Sequence, residues 1–167
     1  MILSSSELKQ NAARKASENE YFREAIRLCR SSELDALVAP IIDKAYRDIN
    51  CLDCGNCCKQ LRPPFTPSDV ERIAEQLSMS DAHFTEQYLE DVKSREFAIM
   101  ACNPCAFLNE KACLIYAIRP DSCSDYPHLH HPGFKYRIRS ILENYSVCPI
   151  VVQVIEDLKG RIEFALN

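Results

Sequence analysis

The sequence predicts a mainly α-helical fold with a small β-hairpin, in a compact single domain organised around a cysteine-rich region. Apolar residues recur at spacings of three and four over much of the 167 residues, which is the helical period. Four cysteines fall within the eight residues 51–58, a density that packing does not require. Short apolar runs on both sides of the polar residues 109–111 predict the hairpin, with Cys105 on one arm and Cys113 on the other.

The N-terminal part of the chain predicts two helices. Ser4 and Glu7 have the spacing of a capping box, so a first helix should begin there and run to about residue 30. From residue 33 to residue 49 the apolar positions again follow the helical period. Pro40 lies inside this second helix and is expected to kink or divide it, because proline removes a backbone donor.

Two more helices are predicted in the middle of the chain. Thr66 followed by Pro67 is a helix cap followed by the first-turn position that tolerates proline. Ser80 caps the next helix, whose apolar face is expected to extend to Val92. We expect the two helices to form a helical hairpin beside the cysteines.

The C-terminal part predicts irregular structure followed by two helices. After Pro120 the chain is rich in proline and histidine, and helical spacing resumes only at about Tyr136. Pro149 at a first-turn position favours a last helix, although residues 150–155 are mostly β-branched. The alternating tail that begins at Arg161 predicts a short strand.

The predicted domain has three regions. Residues 1–50 supply N-terminal helices that pack on the domain, residues 51–149 form the cysteine-rich domain, and residues 150–167 pack back on it as a C-terminal element. A hydrophobic content of 47% is enough for a folded core.

Composition also limits the compartment and the partners. The N-terminus lacks the features of a secretory signal, and no run reaches the roughly 20 apolar residues of a membrane span, so we expect a cytoplasmic protein without a membrane partner. Cytoplasmic thiols stay reduced, and clustered cysteines there are more often metal ligands than disulfides. A net charge of -4 argues against nucleic-acid binding, although residues 135–139 alternate basic and apolar side chains.

Eight of the ten cysteines occur in dense or proline-marked contexts, and eight thiolates suffice for two four-ligand metal sites. The predicted metal ligands are Cys51, Cys54, Cys57, Cys58, Cys105, Cys113, Cys123 and Cys148. Cys29 and Cys102 lie off this pattern and are interpreted as packing cysteines. The predicted domain is therefore organised around a metal centre.

The spacing suggests how these ligands divide. Residues 51–55 read Cys-x-x-Cys-Gly, which fits a zinc knuckle. Cys57 adds a third thiolate that fits an iron-sulfur cubane, with Cys148, followed by proline, as the fourth ligand. The other four form a separate thiolate site, most simply for zinc: Cys58, Cys105, Cys113 and Cys123. Because Cys57 and Cys58 are adjacent, they either serve different sites or include one thiolate that bridges two metals.

Three histidines follow Cys123 closely, and one of them could ligate an exposed iron or zinc ion. They are His128, His130 and His131. Eight thiols already complete two coordination shells, which favours the alternative of a polar surface loop.

Three motifs follow one another in the chain: Cys51-x-x-Cys54-x-x-Cys57-Cys58, Pro104-Cys105-x-Phe107-Leu108 and Cys113-x-Ile115-Tyr116-x-x-Arg119-Pro120-x-x-Cys123-x-x-Tyr126-Pro127. Over about residues 51–149 this order resembles the YkgJ-type cysteine-cluster family. The resemblance implies zinc or iron chelation by the cysteines of the motifs, with Cys148 as the last member. A related cysteine pattern also occurs in flagellin lysine methylases.

Three functions stay open at this level. The first is a metal-binding protein without catalysis, in which zinc or iron has a structural, storage or transfer role. The second is an iron-sulfur redox protein or a protein-modifying enzyme related to the methylases. The third is a zinc-stabilised module that binds an unidentified protein partner. The chain has only three glycines, and none of them forms a phosphate-binding fingerprint. No catalytic residue is assigned.

Overall fold

The computed structural model describes residues 3–92 and 96–166. The chain divides into two compact units. The first, here called the helical unit, comprises Met1–Asn50 and Pro127–Asn167. The second, here called the cysteine unit, is Cys51–Tyr126. The predicted three-region division stays a prediction.

Helices make up most of the described chain. In order they are α1 (Ser5–Arg14), α2 (Ala16–Leu28), α3 (Ser31–Asp48), α4 (Asn56–Gln60), α5 (Pro67–Gln76), α6 (Asp81–Tyr88), α7 (Asp121–Asp125), α8 (Phe134–Glu143) and α9 (Pro149–Leu166). The strands are β1 (Pro64–Phe65), β2 (Leu89–Asp91), β3 (Ala98–Met100), β4 (Leu108–Asn109) and β5 (Ala112–Cys113). The predicted mainly α class with a small β-hairpin is confirmed.

The capping box at the start of α1 is confirmed, because Ser4 N–H donates to Glu7 Oε2 at 2.7 Å and Glu7 N–H to Ser4 Oγ at 3.4 Å. The single long helix predicted behind it is wrong. The chain breaks at Lys15 into α1 and α2, which have different packing partners in the helical unit: α1 lies on the turn Asn144–Ser146, and α2 lies on α8. Tertiary packing therefore overrides local helix propensity at this point.

Helix α3 runs through Pro40 without being divided. Pro40 lies on the exposed side of the helix, while the opposite side buries Leu34, Val38, Ile41, Ile42 and Ala45. An interior proline costs about 3 kcal/mol. Burial of several large apolar side chains, at about 1.5–3 kcal/mol each, outweighs that cost.

The helix predicted from Pro149 is confirmed as α9, but the strand predicted for the tail is wrong. The helical period continues from Leu158 to Ile162, both buried, and α9 extends to Leu166. The β-branched residues at its start lie on a face that packs against α3, and this packing outweighs their preference for strands. Within the described residues, no helix is long and apolar enough to cross a membrane.

Two predicted helix starts in the cysteine unit are confirmed. Thr66 and Asp69 form a capping box at α5, and Ser80 Oγ accepts a hydrogen bond of 3.3 Å from His83 N–H at α6. Helix α6 ends at Tyr88, however, so the helical face predicted to reach Val92 is wrong. The next residues form β2, whose main-chain groups pair with those of β3.

A three-stranded antiparallel sheet with the order β1, β3, β2 was not predicted. Its strands contain two or three residues each, too few to show an alternating pattern in the sequence. The predicted hairpin is present as β4 and β5, in which Leu108 pairs with Cys113. Cys105 precedes β4 by three residues, so only one of the two expected cysteines lies on a strand.

The stretch after Pro120, predicted to be irregular up to about Tyr136, contains the short helix α7 and the first turn of α8. Gly133 has a φ of 75° at the start of α8. The Asp35 carboxylate of α3 accepts hydrogen bonds from the N–H groups of Gly133 at 2.8 Å and Phe134 at 2.9 Å. The Asp35 carboxylate thus satisfies two backbone donors at the N-terminus of α8. A helix N-terminus favours a negative charge at this position.

Candidate metal centre

The first two cysteines of the dense run, Cys51 and Cys54, lie on a tight turn. Cys51–Asp53 is a 3-10 turn, and Cys51 O accepts hydrogen bonds from the N–H groups of Cys54 at 3.1 Å and Gly55 at 3.3 Å. Gly55 adopts the left-handed conformation with a φ of 63°, and α4 begins directly after it. This turn is the predicted knuckle, and it leads into the helix that carries Cys57 and Cys58.

The knuckle lies against the β-hairpin. A Cβ added to Gly55 would lie 2.8 Å from Lys111 O and 3.2 Å from Leu108 Cδ1, so only glycine fits at this contact. A third segment joins through the backbone, because Cys105 N–H donates to Cys58 O at 2.8 Å. The knuckle, α4, the segment before β4 and the hairpin are therefore packed together.

Cys123 lies on α7 of the same unit, and two residues of α5 hold α7 and the turn before it. Asp69 Oδ1 accepts a 3.0 Å hydrogen bond from Asp121 N–H, and Arg72 donates to Ile118 O at 2.7 Å. Asp69 is 1% exposed and also bonds the start of its own helix. Sequence reasoning missed both residues, although the spacing of Thr66 and Asp69 is the signal that could have marked Asp69.

Four of the predicted ligands form a mutually interacting set, here called the four-thiolate set: Cys58, Cys105, Cys113 and Cys123. Burial raises the pKa of Cys105 to about 11, and Cys58 and Cys113 raise it as well. Burial likewise raises the pKa of Cys123 to about 12, with contributions from the other three. For Cys113, burial and Cys58 raise the pKa. Each thiol in the set therefore interacts electrostatically with the other three.

Cys58 is the centre of these interactions. Its sulfur lies 4.0 Å from that of Cys57, and this contact together with burial raises the Cys58 pKa strongly. Burial is the main cause of the raised pKa values of Cys51 and Cys54, and Cys58 contributes to both. A cation at this position would favour the thiolates, since metal binding replaces thiol protons.

Arg119 supplies positive charge beside the thiols. Its guanidinium lies 3.8 Å from the centre of the Tyr116 ring and donates a 2.6 Å hydrogen bond to Tyr116 O. Burial raises the pKa values of Cys51 and Cys113, and Arg119 acts in the opposite direction on both. Arg119 therefore favours the thiolate form of both cysteines.

The remaining cysteines are placed differently. Cys148 belongs to the helical unit, is 7% exposed and precedes α9, where its N–H donates to Asn144 O at 2.8 Å. Cys29 is half-buried, and its thiol donates to Ala25 O at 3.8 Å. Cys102 is exposed in the cysteine unit, so its interpretation as a buried packing cysteine is wrong.

The three histidines are exposed and belong to the helical unit. The ring of His130 lies 4.8 Å from that of Tyr46, centre to centre, and the rings of His128 and His131 are 6.3 Å apart. Their ligation of a metal stays a prediction. Lys135, the first of the basic residues that follow, donates to the distant Cys29 O at 2.8 Å.

The donor chemistry fits a thiophilic ion. The cysteine unit contains eight thiols, seven of them predicted ligands, and thiols are the soft ligands that select zinc or iron over calcium or magnesium. Among the described residues no three cysteine sulfurs lie within 4.8 Å of one another. Closing a tetrahedral site, in which zinc-sulfur bonds are about 2.3 Å, would therefore draw the sulfurs inward.

Replacing Asp69 by asparagine is expected to loosen the attachment of α7. Burial would raise the pKa of Asp69, but hydrogen bonds from Thr66 and Asp121 and the charge of Arg72 lower it overall. A carboxyl group whose pKa is lower in the folded state stabilises the fold at pH values above its unfolded-state pKa. This stabilisation is lost as the pH falls through the folded-state pKa. The variant should lose about 1–3 kcal/mol in urea unfolding at neutral pH.

The difference between this variant and the wild type should stay constant from neutral to mildly acidic pH. It should shrink only below the ordinary aspartate pKa of 3.8. Both proteins carry the same cysteines, so the comparison cancels the effect of acid on the thiols. A difference that shrinks in the mildly acidic range would contradict the role given to Asp69.

Comparison with known protein families gives one match, and it covers most of the chain. Residues 50–149 match the model of the CxxCxxCC family, whose description proposes a zinc- or iron-chelating domain. No curated protein and no solved structure matches. The match contains the cysteine unit and extends to Cys148, in agreement with the resemblance seen in the ordered motifs. The chain belongs to the CxxCxxCC family of zinc- or iron-chelating domains.

Proposed function

We propose that the four-thiolate set binds one zinc ion and that this ion keeps the cysteine unit folded. The observation that carries the proposal is the joining of the segments that bear these thiols, in which Cys105 N–H donates to Cys58 O at 2.8 Å. The mutual effects of the four thiols on their pKa values agree with this placement. Four thiolates close the coordination shell of zinc and leave no position open for a substrate, which is typical of a structural site.

The construction of the cysteine unit supports a structural role for the metal. Among its described residues, the fully buried part of the apolar core has eight side chains, and further partly buried ones, Cys105 and Cys113 included, pack against it. The eight are Phe65, Ile73, Ala74, Phe84, Leu89, Met100, Phe107 and Ile115. Small cores often need a metal or disulfides for stability. The four thiols come from α4, the segment before β4, the hairpin and α7, so one ion would crosslink four segments.

We further propose that Cys51, Cys54 and Cys57 hold a second metal ion. The tight turn supports this proposal, because it brings the first two of these residues together. The predicted fourth ligand from the sequence pattern is Cys148. Three thiolates at this spacing also suit an iron-sulfur cluster, which is the second candidate function and would give the protein a redox role. The enzymatic and interaction-module alternatives stay predictions.

Metal analysis of anaerobically purified protein tests the proposal. We expect at least one zinc ion per chain, no acid-labile sulfide and no visible colour. Replacing Cys123 by serine should remove one zinc ion per chain, because it opens the four-thiolate set. Cys29→Ser is the matched control and should keep the wild-type zinc content, since Cys29 lies in the helical unit.

Other results would redirect the assignment. Iron with matching sulfide, lost in Cys54→Ser but kept in Cys123→Ser, would support a cluster at the knuckle and leave the four-thiolate proposal without its metal. Protein free of both metals after purification, and unable to take up zinc on titration, would overturn the structural role.

A further inference from the structure

The segment 127–133 of the helical unit, here called the histidine loop, contains three of the four histidines of the chain. Its main chain is fixed at several points. The side chain of Leu129, in the middle of the loop, is 1% exposed and anchors it. Arg137 of α8 donates hydrogen bonds to the main-chain oxygens of His128, His131 and Pro132. The fold therefore sets the positions of His128 and His131 relative to each other.

The backbone of His128 has an uncommon conformation. Its φ of 63° lies in the left-handed region, which residues other than glycine seldom adopt. Residues in such regions persist only where the surrounding structure enforces them, and they cluster at ligand clamps and active sites. The hydrogen bond from Arg137 to His128 O is one contact that holds this conformation. The backbone strain at His128 thus points to a ligand of this loop.

The imidazoles of His128 and His131 are close enough to share one ion. Their ring centres are 6.3 Å apart, and a nitrogen of His128 lies within 4.8 Å of a nitrogen of His131. Zinc-nitrogen bonds are about 2.0–2.1 Å long, so two such bonds at the tetrahedral angle place the nitrogens roughly 3.4 Å apart. Both side chains are exposed, so rotation about their side-chain bonds can bring the nitrogens to this separation while the main chain stays in place.

His130 lies between these two residues in the chain, but its ring has a different neighbour. The centre of its ring is 4.8 Å from the centre of the Tyr46 ring on α3. This contact gives His130 a packing role against α3. His128 and His131 are therefore the pair that can act together, and His130 is a natural control in the same loop.

We propose that His128 and His131 together bind one divalent transition-metal ion, of the class that includes zinc, nickel and copper(II), at a site built from imidazoles instead of thiolates. Imidazole nitrogen is a ligand that suits these ions. Two protein ligands leave coordination positions for water or for a donor group of another molecule, unlike a closed structural site. The inference goes beyond the proposed function, because the site uses none of the cysteines.

The charges around the loop are compatible with a bound cation. Asp35 accepts hydrogen bonds from the first two N–H groups at the start of α8, and its carboxylate offsets the positive end of that helix dipole. The guanidinium of Arg137 opposes a cation, but it donates to carbonyl oxygens, whose partial negative charge faces it. We therefore expect weaker binding than at four thiolates, so that zinc fills the histidine site in a later stage of a titration.

Nuclear magnetic resonance of the histidine rings tests the site directly. Zinc is titrated into the full chain beyond the amount that the thiols take up, and the ring signals of all four histidines are followed. The signals of His128 and His131 should shift together and saturate at one further ion per chain. The signals of His130 and of His83 on α6 should shift much less.

The ring signals report on histidines alone, so the result does not depend on the proposed function. Joint shifts of His128 and His131 support the inference whether or not the thiols bind zinc. Equal shifts at all four histidines, a shift at only one member of the pair, or no shift at all would overturn the inference. Each of these three results would leave the proposed zinc site of the thiols intact.

Three matched substitutions measure what each histidine of the loop contributes. Asparagine tolerates the left-handed conformation and lacks the imidazole, so it replaces each histidine in turn. In the same titration, followed by the remaining ring of the pair, His128→Asn and His131→Asn should each bind the ion at least about tenfold more weakly, since even loss of a residue that supports a metal ligand costs roughly 10- to 100-fold. His130→Asn should bind it as tightly as the wild type. Wild-type affinity in His128→Asn or in His131→Asn would overturn the paired site.

Discussion

Cys58→Ser is expected to lose zinc from the four-thiolate set and to unfold the cysteine unit. Cys58 interacts with every other member of that set and also with the knuckle cysteines. A structural zinc ion contributes an apparent 10–16 kcal/mol at neutral pH. The total stability of a folded domain is only about 5–15 kcal/mol, so loss of this ion exceeds what the rest of the unit can offset. Zinc content and thermal unfolding of the purified variant measure the effect.

The control for this prediction is Cys29→Ser, which should bind as much zinc as the wild type and melt at nearly the same temperature. Chelation of the wild type should reproduce the unfolding of Cys58→Ser, and a chelator should have little further effect on the variant. Cys58→Ser protein that carries the wild-type amount of zinc would exclude Cys58 as a ligand.

The local signals in the sequence predicted the helix starts well. Ser4, Thr66 and Ser80 each cap a helix as expected, because capping depends on residues within one turn of each other. The hairpin around residues 109–111 was predicted for the same reason. Pro149 also begins the last helix, where its missing N–H costs nothing.

Features that depend on distant parts of the chain were not predicted. The break at Lys15 follows from the different partners of α1 and α2, and the end of α6 at Tyr88 follows from the pairing of β2 with β3. Neither set of packing partners can be inferred from the residues next to the break. Sequence spacing is therefore a weak guide to helix boundaries that tertiary contacts determine.

The same limit applies to the metal ligands. Spacing identified the dense run of cysteines, because four thiols in eight residues need no tertiary information. It assigned Cys102 to packing, whereas the structure exposes Cys102 in the cysteine unit. Cys148 is buried in the helical unit, and its role as a metal ligand stays a prediction. Exposure and unit membership depend on the whole fold, so spacing alone could not supply them.

Gly55→Ala should destabilise the cysteine unit by about 2–5 kcal/mol and weaken zinc binding. The φ of 63° costs a residue with a Cβ about 1–2 kcal/mol. The added carbon would also lie 2.8 Å from Lys111 O and 3.1 Å from Lys111 Cα, both backbone atoms, and overpacking of this kind costs about 1–3 kcal/mol more. Chemical denaturation of the zinc-bound protein and a zinc titration measure the two effects.

Gly160→Ala is the matched control for this substitution. Gly160 lies inside α9, where a Cβ would meet no atom within 4 Å, so alanine should stabilise the helix by about 0.5–1 kcal/mol. The two substitutions add the same methyl group and should have opposite signs, because one site is a crowded left-handed turn and the other an open helical position. If Gly55→Ala keeps wild-type stability and zinc affinity, the knuckle does not lie against the hairpin. Cys113, which is on that hairpin, would then not lie beside the knuckle.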